Sequence, residues 1–392
     1  MIDEKLLHFV QEHADEDPLR LALEGDKYPG VDVSLASRAI AARHKLRLKV
    51  PTWYACPQVF VEDRVAVEQS SSEIAARFKV RLLPDDVSVG IDLTGGLGVD
   101  SYFLAQKMSE WHYLDADPRR VMLATHNFQA LGAEHIHTHS GKAETEGVEL
   151  MRELRPQLIY LDPDRRPGGG SRKFHLSDST PDILSLIPCI FELSTHAVIL
   201  VKLSPLIDIT YLKSLDFPLP FDTYILSVGR EAKEVLIRFS TQAAGSTYAI
   251  EIGPEKILCE KAAILPTSVP VSDKVGNYMY DLYPSFAKVG IDYFPQFADH
   301  LIKPDRNTHL YFSDELINNF PGRAFKVLEF GKWSGQIAKK FSGTTLHLVT
   351  KNLKTSTDNF RSRLKIKEGG ELFLFIYAAI GRKSCYVLAK AI

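Results

Sequence analysis

The sequence predicts an α/β chain built around a mostly parallel sheet. Two observations carry this. From Val87 to Leu203, short apolar runs alternate with stretches of helical period. The first of those runs also ends in a glycine-rich turn, TGGLG at 94–98. Strand alternating with helix is the signature of parallel strands joined by right-handed crossovers.

Residues 1–83 read as a helical region. LLHFV (6–10) and ASRAIAARHKL (36–46) space their apolar residues as one helix face does. Ser70 and Glu73 fit a capping box ahead of EIAARFKVRLL, which predicts a helix start near Ser70. Pro84-Asp85-Asp86 breaks it. The period then changes: VSVGIDL (87–93) is a strand, DSYFLAQKM (100–108) a helix and WHYLD (111–115) a strand. PRRVMLATHNFQALG (118–132) is a helix, and HIHTHS (135–140), LIYLD (158–162) and HAVILVKL (196–203) are strands. TYILSVGREAKEVLIRFS (223–240) reads as an antiparallel pair closing the sheet.

Beyond about Thr241 the pattern shifts. STYAIEI (246–252) and KAAILPTS (261–268) are mixed, THLYFS (308–313) is a strand and DELINNF (314–320) a short helix. The last stretch reads strand, helix, strand, helix, hairpin: FKVLEF, GQIAKKF, LHLVT, TDNFRSRL, then ELFLFIYAA and SCYVLAKA around a turn at 380–383.

Composition is that of an ordinary globular chain, 45% apolar and 24% charged over 392 residues, with net charge −2. The charge is unevenly spread. Residues 321–392 carry 14 basic and four acidic side chains, +10, which leaves −12 on the first 320 residues. A basic module on an acidic body points to nucleic acid, and a lysine-rich solvated face fits equally well. Cys56, Cys189, Cys259 and Cys385 lie far apart, against a disulfide framework or zinc site and in keeping with the cytoplasm. The N-terminal MIDEKLLHFVQEH shows no secretory signal, and the longest apolar run is far below the roughly 20 residues of a membrane span.

Three stretches carry chemistry. In GIDLTGGLGVDS (90–101) a strand delivers Asp92, Gly96 and Gly98 permit a tight turn, and a helix begins. Glycine lets the backbone approach a ligand closely, and a helix start suits an anion. Asp115 ends the next strand, near the ~20-residue offset at which an acid meets ribose hydroxyls. Ser101 stands where a dinucleotide fold wants its third glycine, which favours S-adenosylmethionine over a nicotinamide cofactor. Asp92 on the first strand suits an ammonium group better than a pyrophosphate. Asp117-Pro118 reads as the cap of the next helix.

In LIYLDPDRRPGGGSRK (158–173) a strand ends at Asp162-Pro163, so Asp162 is expected at the same crevice as Asp92 and Asp115. A carboxylate there can hold an acceptor amine and ease its proton loss. Arg165 and Arg166 could grip a phosphate or base edge, and Gly168, Gly169 and Gly170 read as a flap. Weaker features have ordinary readings. His135, His137 and His139 alternate without matching acids or cysteines, so no metal is expected. Lys202 reads as a strand-end surface lysine, with reach into the crevice as the alternative. Phe341, Phe360 and Tyr386 read as core residues, with base stacking as the alternative.

GIDLTGGLGVDSYFLAQKM, HYLDADPRRVMLATHNFQALG and LIYLDPDRR together resemble a class I methyltransferase, on the branch related to trimethylguanosine-synthase-type enzymes. EQSSSEIAARFKVRLL, YLDPDRRPGG, VKLSP (201–205) and NFRSRLKIKEGGELFLFIYAAIGRKSCYVLAKA (359–391) are similar to a bacterial family with a C-terminal THUMP-like domain. The resemblance implies an N-terminal helical region (1–83), a Rossmann-like class I methyltransferase domain (84–243), a small ferredoxin-like domain (244–322) and a THUMP-like α+β domain (323–392). It implies S-adenosylmethionine held by Asp92, Gly96, Gly98, Asp100 and Asp115, Asp162 beside the methyl with Arg165 next to it, and RNA as partner. Relatives often have Asp-Pro-Pro and an aromatic where Asp164 and Arg165 stand here. Lys142 holds the place of their adenine-binding acid, with Glu144 as its substitute. A nicotinamide-dependent oxidoreductase and a non-catalytic RNA-binding protein on the same fold are the alternative readings.

Overall fold

The computed structural model describes residues 2–165 and 176–392. The chain forms two compact units, residues 1–224 with 233–246 and residues 225–232 with 247–392. Among the described residues no helix is long and apolar enough to cross a membrane.

In the first unit, β1 (Val89–Asp92), β2 (Glu110–Asp115), β3 (Ile136–Ser140) and β4 (Leu158–Leu161) lie parallel. The order is β3-β2-β1-β4, followed by the parallel strand Val198–Leu203 and the antiparallel strand Glu231–Phe239. β1 and β4 are apolar and buried along nearly their whole length, as parallel strands covered on both faces are. The chain order reverses between β1 and β4, and ligands of such sheets sit outside the carboxyl ends at that reversal.

The core beneath joins Trp53, Val67 and Ala76 of the N-terminal region to Phe103, Trp111, Tyr113 and Phe128 of the sheet domain. The N-terminal helices Glu4–Glu12 and Val33–Lys49 add a second cluster around Phe9, Ile40 and Phe60. The helix predicted from Ser70 starts later, over Glu73–Val80. Its cap is Ser72, and Glu73 forms no capping box because its carboxylate accepts from the Thr52 amide and hydroxyl at 2.8 and 2.7 Å. The helix Ile183–Leu193, carrying Pro188 within it, gave no periodic signal that the sequence reading separated from its surroundings.

In the second unit a six-stranded sheet draws on Tyr278–Leu282, Leu310–Ser313, Gly322–Lys332, His347–Lys351, Leu372–Ala379 and Lys383–Ala391. Segments 244–322 and 323–392 thus contribute to one sheet. The expected tail elements all form, the helices being Gly335–Phe341 and Thr357–Leu364. Phe341 and Tyr386 are buried, with Phe360 packed against them, so all three serve packing. DELINNF is a loop and not a helix. The Tyr280 hydroxyl donates to the Glu315 carbonyl and accepts from the Ile317 amide, and Asn319 takes a positive φ of 56°, which together preclude a helical turn.

Candidate functional site

The glycine turn forms the floor of the site. Gly96 and Gly98 have φ of 57° and 88°, a region open to glycine at no cost. A Cβ at Gly98 would lie 2.8 Å from the Phe128 ring. A Cβ at Gly96 would meet only the Thr94 carbonyl, at 3.7 Å, so the floor there is bare backbone. Gly95, which sequence reasoning passed over, packs flat on Tyr113: a Cβ would stand 2.2 Å from that ring, whose hydroxyl donates to the Gly96 carbonyl at 2.7 Å. The doubled glycine in TGGLG was the available signal.

Asp92 is buried beneath this floor and both its oxygens are engaged. Oδ1 accepts from the Thr94 amide (2.9 Å) and hydroxyl (3.2 Å), and Oδ2 accepts from Ser101 Oγ at 2.7 Å. Ser101 in turn accepts from the Trp111 indole at 3.0 Å. Ser101 therefore replaces the third glycine in order to tie β1 to β2. Burial pushes the Asp92 carboxyl up to about 7, against the pull of the Ser101 and Thr94 hydrogen bonds. Thr94 Oγ1 also accepts the Asp162 amide at 2.6 Å, which links the ends of β1 and β4.

Asp115 holds the same turn from β2: its Oδ2 accepts the Gly96 amide and its Oδ1 the Asp117 amide, both at 2.8 Å. Arg120 lies 3.7 Å from it. Asp117 caps the helix Pro118–Ala130 as expected. Above the floor opens a cavity of roughly 320 Å³. Thr94, Gly96, Arg120, Asp162 and Asp164 line one side; Phe60, Val65 and Ala66 line the other. The N-terminal region is thus a wall of the site, which its sequence did not announce. Asn127 fixes that wall by exchanging two hydrogen bonds with the Phe60 backbone, at 2.8 and 2.9 Å.

Lys202 departs from its expected place on the surface. It is 12% exposed and forms a close ion pair with Asp162 at the cavity edge. It lies 3.9 Å from Asp100 and 3.4 Å from Ser71 Oγ. Below it, Lys79 has no exposed surface and bridges Asp100 (2.9 Å), Glu234 (2.9 Å) and Ser71 (2.8 Å). Tyr160 and Ser71 each donate to Asp100 at 2.7 Å. Burial alone would raise the Asp100 carboxyl, but Lys79 and Lys202 outweigh it and bring it down to about 2. Burial likewise raises Asp162, with Lys202 opposing. Burial also works against the Lys202 charge, but Asp162, Asp100 and Glu234 prevail and hold its ammonium above the ordinary range.

The structure brings together Asp92, Gly96, Gly98, Asp100 and Asp162 around the glycine turn, where all five line the smaller cavity over it. Asp100 enters this set as an internal ion-pair partner. Glu144 is exposed on the turn Ala143–Gly147 and lines neither cavity. Arg166 and Gly168–Gly170 lie outside the described residues, as does the side chain of Arg165. His137 and His139 pack against His112, with His112 Nδ1 2.9 Å from His139 Nε2, whereas His135 bonds the Ala105 carbonyl. Among the described residues no cluster that could hold a metal occurs.

Comparison with known proteins agrees with this fold. A methyltransferase candidate from Porphyromonas gingivalis W83, solved by crystallography, superposes with a TM-score of 0.83 at 26% identity, over 100% of this chain and 99% of that one. The chain has a class I methyltransferase fold. It is also similar to uncharacterised S-adenosylmethionine-dependent methyltransferases of Mycobacterium tuberculosis strains CDC 1551 and H37Rv, at 28% identity over 195 residues. Those matches cover 49% of this chain, and the chain spans about half the length of the curated relatives it matches. No protein-family model matches.

Proposed function

We propose that this chain is an S-adenosylmethionine-dependent methyltransferase that acts on a nitrogen of an RNA base. One observation carries the reading. The bare-backbone floor at Gly96 and the Asp162 carboxylate open onto a single cavity at the reversal point of the sheet.

The residues present suit that cofactor. The open space over Gly96 admits a ligand against the main chain. Asp115 is buried and lines neither cavity; the lone pairs left on it by the Gly96 and Asp117 amides, with Arg120 3.7 Å away, are those we assign to ribose hydroxyls. Bound there, the cofactor supplies an activated methyl group; the protein positions and orients. Asp162 accepts the N–H of the incoming nitrogen and takes its proton. Pro163 fixes the turn that presents this carboxylate. Asp92 acts from below, holding Thr94 and so the Asp162 backbone.

The basic segment supports RNA as the acceptor. Lys332, Lys339, Lys365 and Lys367 are exposed, and among the described residues they have no acidic partner. Deleting residues 323–392 would strip Tyr278–Leu282 and Leu310–Ser313 of their sheet, so charge reversal is the better probe.

The test is transfer of labelled methyl from S-adenosylmethionine into RNA prepared from cells lacking the gene. Incorporation that disappears in Asp162→Ala supports the reading. Failure of calorimetry to detect S-adenosylhomocysteine binding would overturn it. Lys332→Glu with Lys365→Glu and Lys367→Glu should weaken RNA binding and flatten its log–log salt slope by about 0.7 per lost phosphate contact, leaving S-adenosylhomocysteine affinity intact. RNA affinity unchanged by this triple reversal would remove RNA as the partner.

A further inference from the structure

We propose that Lys202 is a positioning residue of the methyl-transfer site: it holds the Asp162 carboxylate at the cavity edge, and the Lys79–Asp100–Glu234 cluster beneath holds Lys202. The proposal rests on the methyltransferase reading and names a residue that this reading leaves without a role.

The geometry gives each step. Asp162 follows β4 and faces the cavity, 36% exposed, while its partner Lys202 comes from the next strand, Val198–Leu203, and is only 12% exposed. One carboxylate oxygen is thus pinned from the protein side. The cavity side stays free for an acceptor. A lysine so deeply placed needs its own support. Asp100 at 3.9 Å and the Ser71 hydroxyl at 3.4 Å provide it. Asp100 cannot swing toward the ligand, because Lys79 and the Tyr160 and Ser71 hydroxyls engage its oxygens at 2.7–2.9 Å. The array alternates in sign from Glu234 through Lys79, Asp100 and Lys202 to Asp162. It joins the N-terminal helix Glu73–Val80 to the end of β4.

This arrangement makes a chemical demand. A carboxyl group that accepts a proton from an amine must be ionised before the reaction. Burial alone drives Asp162 toward the neutral acid, and Lys202 is the cation in contact with it that opposes this. Asp100 and Glu234 are the acids that compete for Lys202, and Lys79 neutralises much of that competition.

The experiment follows the Asp162 carboxyl carbon by NMR in uniformly aspartate-labelled full-length protein, assigned by the signal lost in Asp162→Asn. In the wild type, Asp162 should be ionised at pH 7. In Lys202→Met its midpoint should rise by at least one pH unit, and Lys202→Arg should restore it. The acid limb of the methyl-transfer pH profile should move with it, lowering kcat at pH 7 more than it changes KM. An Asp162 midpoint that stays put in folded Lys202→Met overturns the proposal. So does a wild-type Asp162 that is protonated at pH 7, which decides the matter even where Lys202→Met does not fold. These carboxyl titrations need no cofactor, so their failure is separate from failure of cofactor binding.

Discussion

Lys79→Met isolates the buried ion cluster. Lys79 has no exposed surface, and its ammonium contacts Asp100, Glu234 and Ser71 at 2.8–2.9 Å. Methionine keeps most of the volume and removes only the charge. Asp100 retains Lys202 at 3.9 Å and two hydroxyl donors, whereas Glu234, among the described residues, keeps a long contact from Ser71 at 3.5 Å and the more distant charge of Lys202. Breaking a buried pair by removing one partner typically costs about 3–5 kcal/mol. With a urea slope of about 2–3 kcal/mol/M, the unfolding midpoint should fall by about 1–2.5 M. Trp53 and Trp111 lie in the first unit and Trp333 in the second, so fluorescence in a Trp333→Phe background reports the right unit. Adding Glu234→Gln to Lys79→Met should recover part of the loss, because it removes the stranded acid. A midpoint shift below about 0.3 M, or no recovery from Glu234→Gln, would refute the view that Lys79 compensates buried charge.

Gly98→Ala combines a left-handed backbone with a Cβ 2.8 Å from Phe128, and should cost about 2–4 kcal/mol and lower the melting temperature by about 5–15 °C; a melt within 1 °C of wild type would contradict this. Ser101→Gly restores the third glycine of the dinucleotide pattern, yet it strips Asp92 of a donor and strands the Trp111 N–H. It should therefore destabilise, and more at pH 8 than at pH 6: Asp92 already holds its proton to about 7, so ionising it costs folded-state stability as pH rises, and losing Ser101 enlarges that cost. Equal urea midpoints for variant and wild type at both pH values would count against it. Burial lowers the pKa of both His112 and His139, so the unfolded chain takes up protons first as pH falls below about 6.5 and stability drops there. His139→Gln should flatten the fall in urea midpoint between pH 7 and pH 5, and an unchanged slope would exclude this pair as its source.

Much of the first unit was legible because its strands are short, apolar and bounded by polar turns. β1 to β4 fall within two residues of their expected spans. The glycine turn and Asp162 were legible for a related reason: in a parallel sheet, residues at strand ends share one edge whatever their separation in sequence. Lys202 and Lys79 were not legible in this way. Their partners lie on other elements, and only the strand order sets Val198–Leu203 beside β4 and so brings Lys202 to Asp162. Local pattern equally misplaced Glu73, whose capping-box spacing is overridden by Thr52, and DELINNF, whose helical period yields to the Tyr280 hydroxyl. In each case a tertiary hydrogen bond outweighed a local preference of a few tenths to about 1 kcal/mol.

Asp92 and Asp100 show why a motif residue and a ligand contact are different things. Both are buried acids at one glycine turn, yet burial takes Asp92 up to about 7 while two ammonium groups bring Asp100 down to about 2. Asp92 has only hydroxyl and amide donors, which soften the cost of burial without cancelling it. A carboxyl pushed up in this way is a poorer partner for a cation than an ordinary aspartate and a good anchor for Thr94. At the cavity edge burial also raises Asp162, but there a counterion, Lys202, approaches from the protein side and opposes the rise. A cationic ligand over Gly96 would therefore meet bare backbone below it and an acidic rim to which Asp162, Asp164 and Asp117 contribute. On the proposed methyl-transfer reading, that rim, more than the number of acids in the motif, would orient a sulfonium toward an acceptor held at Asp162.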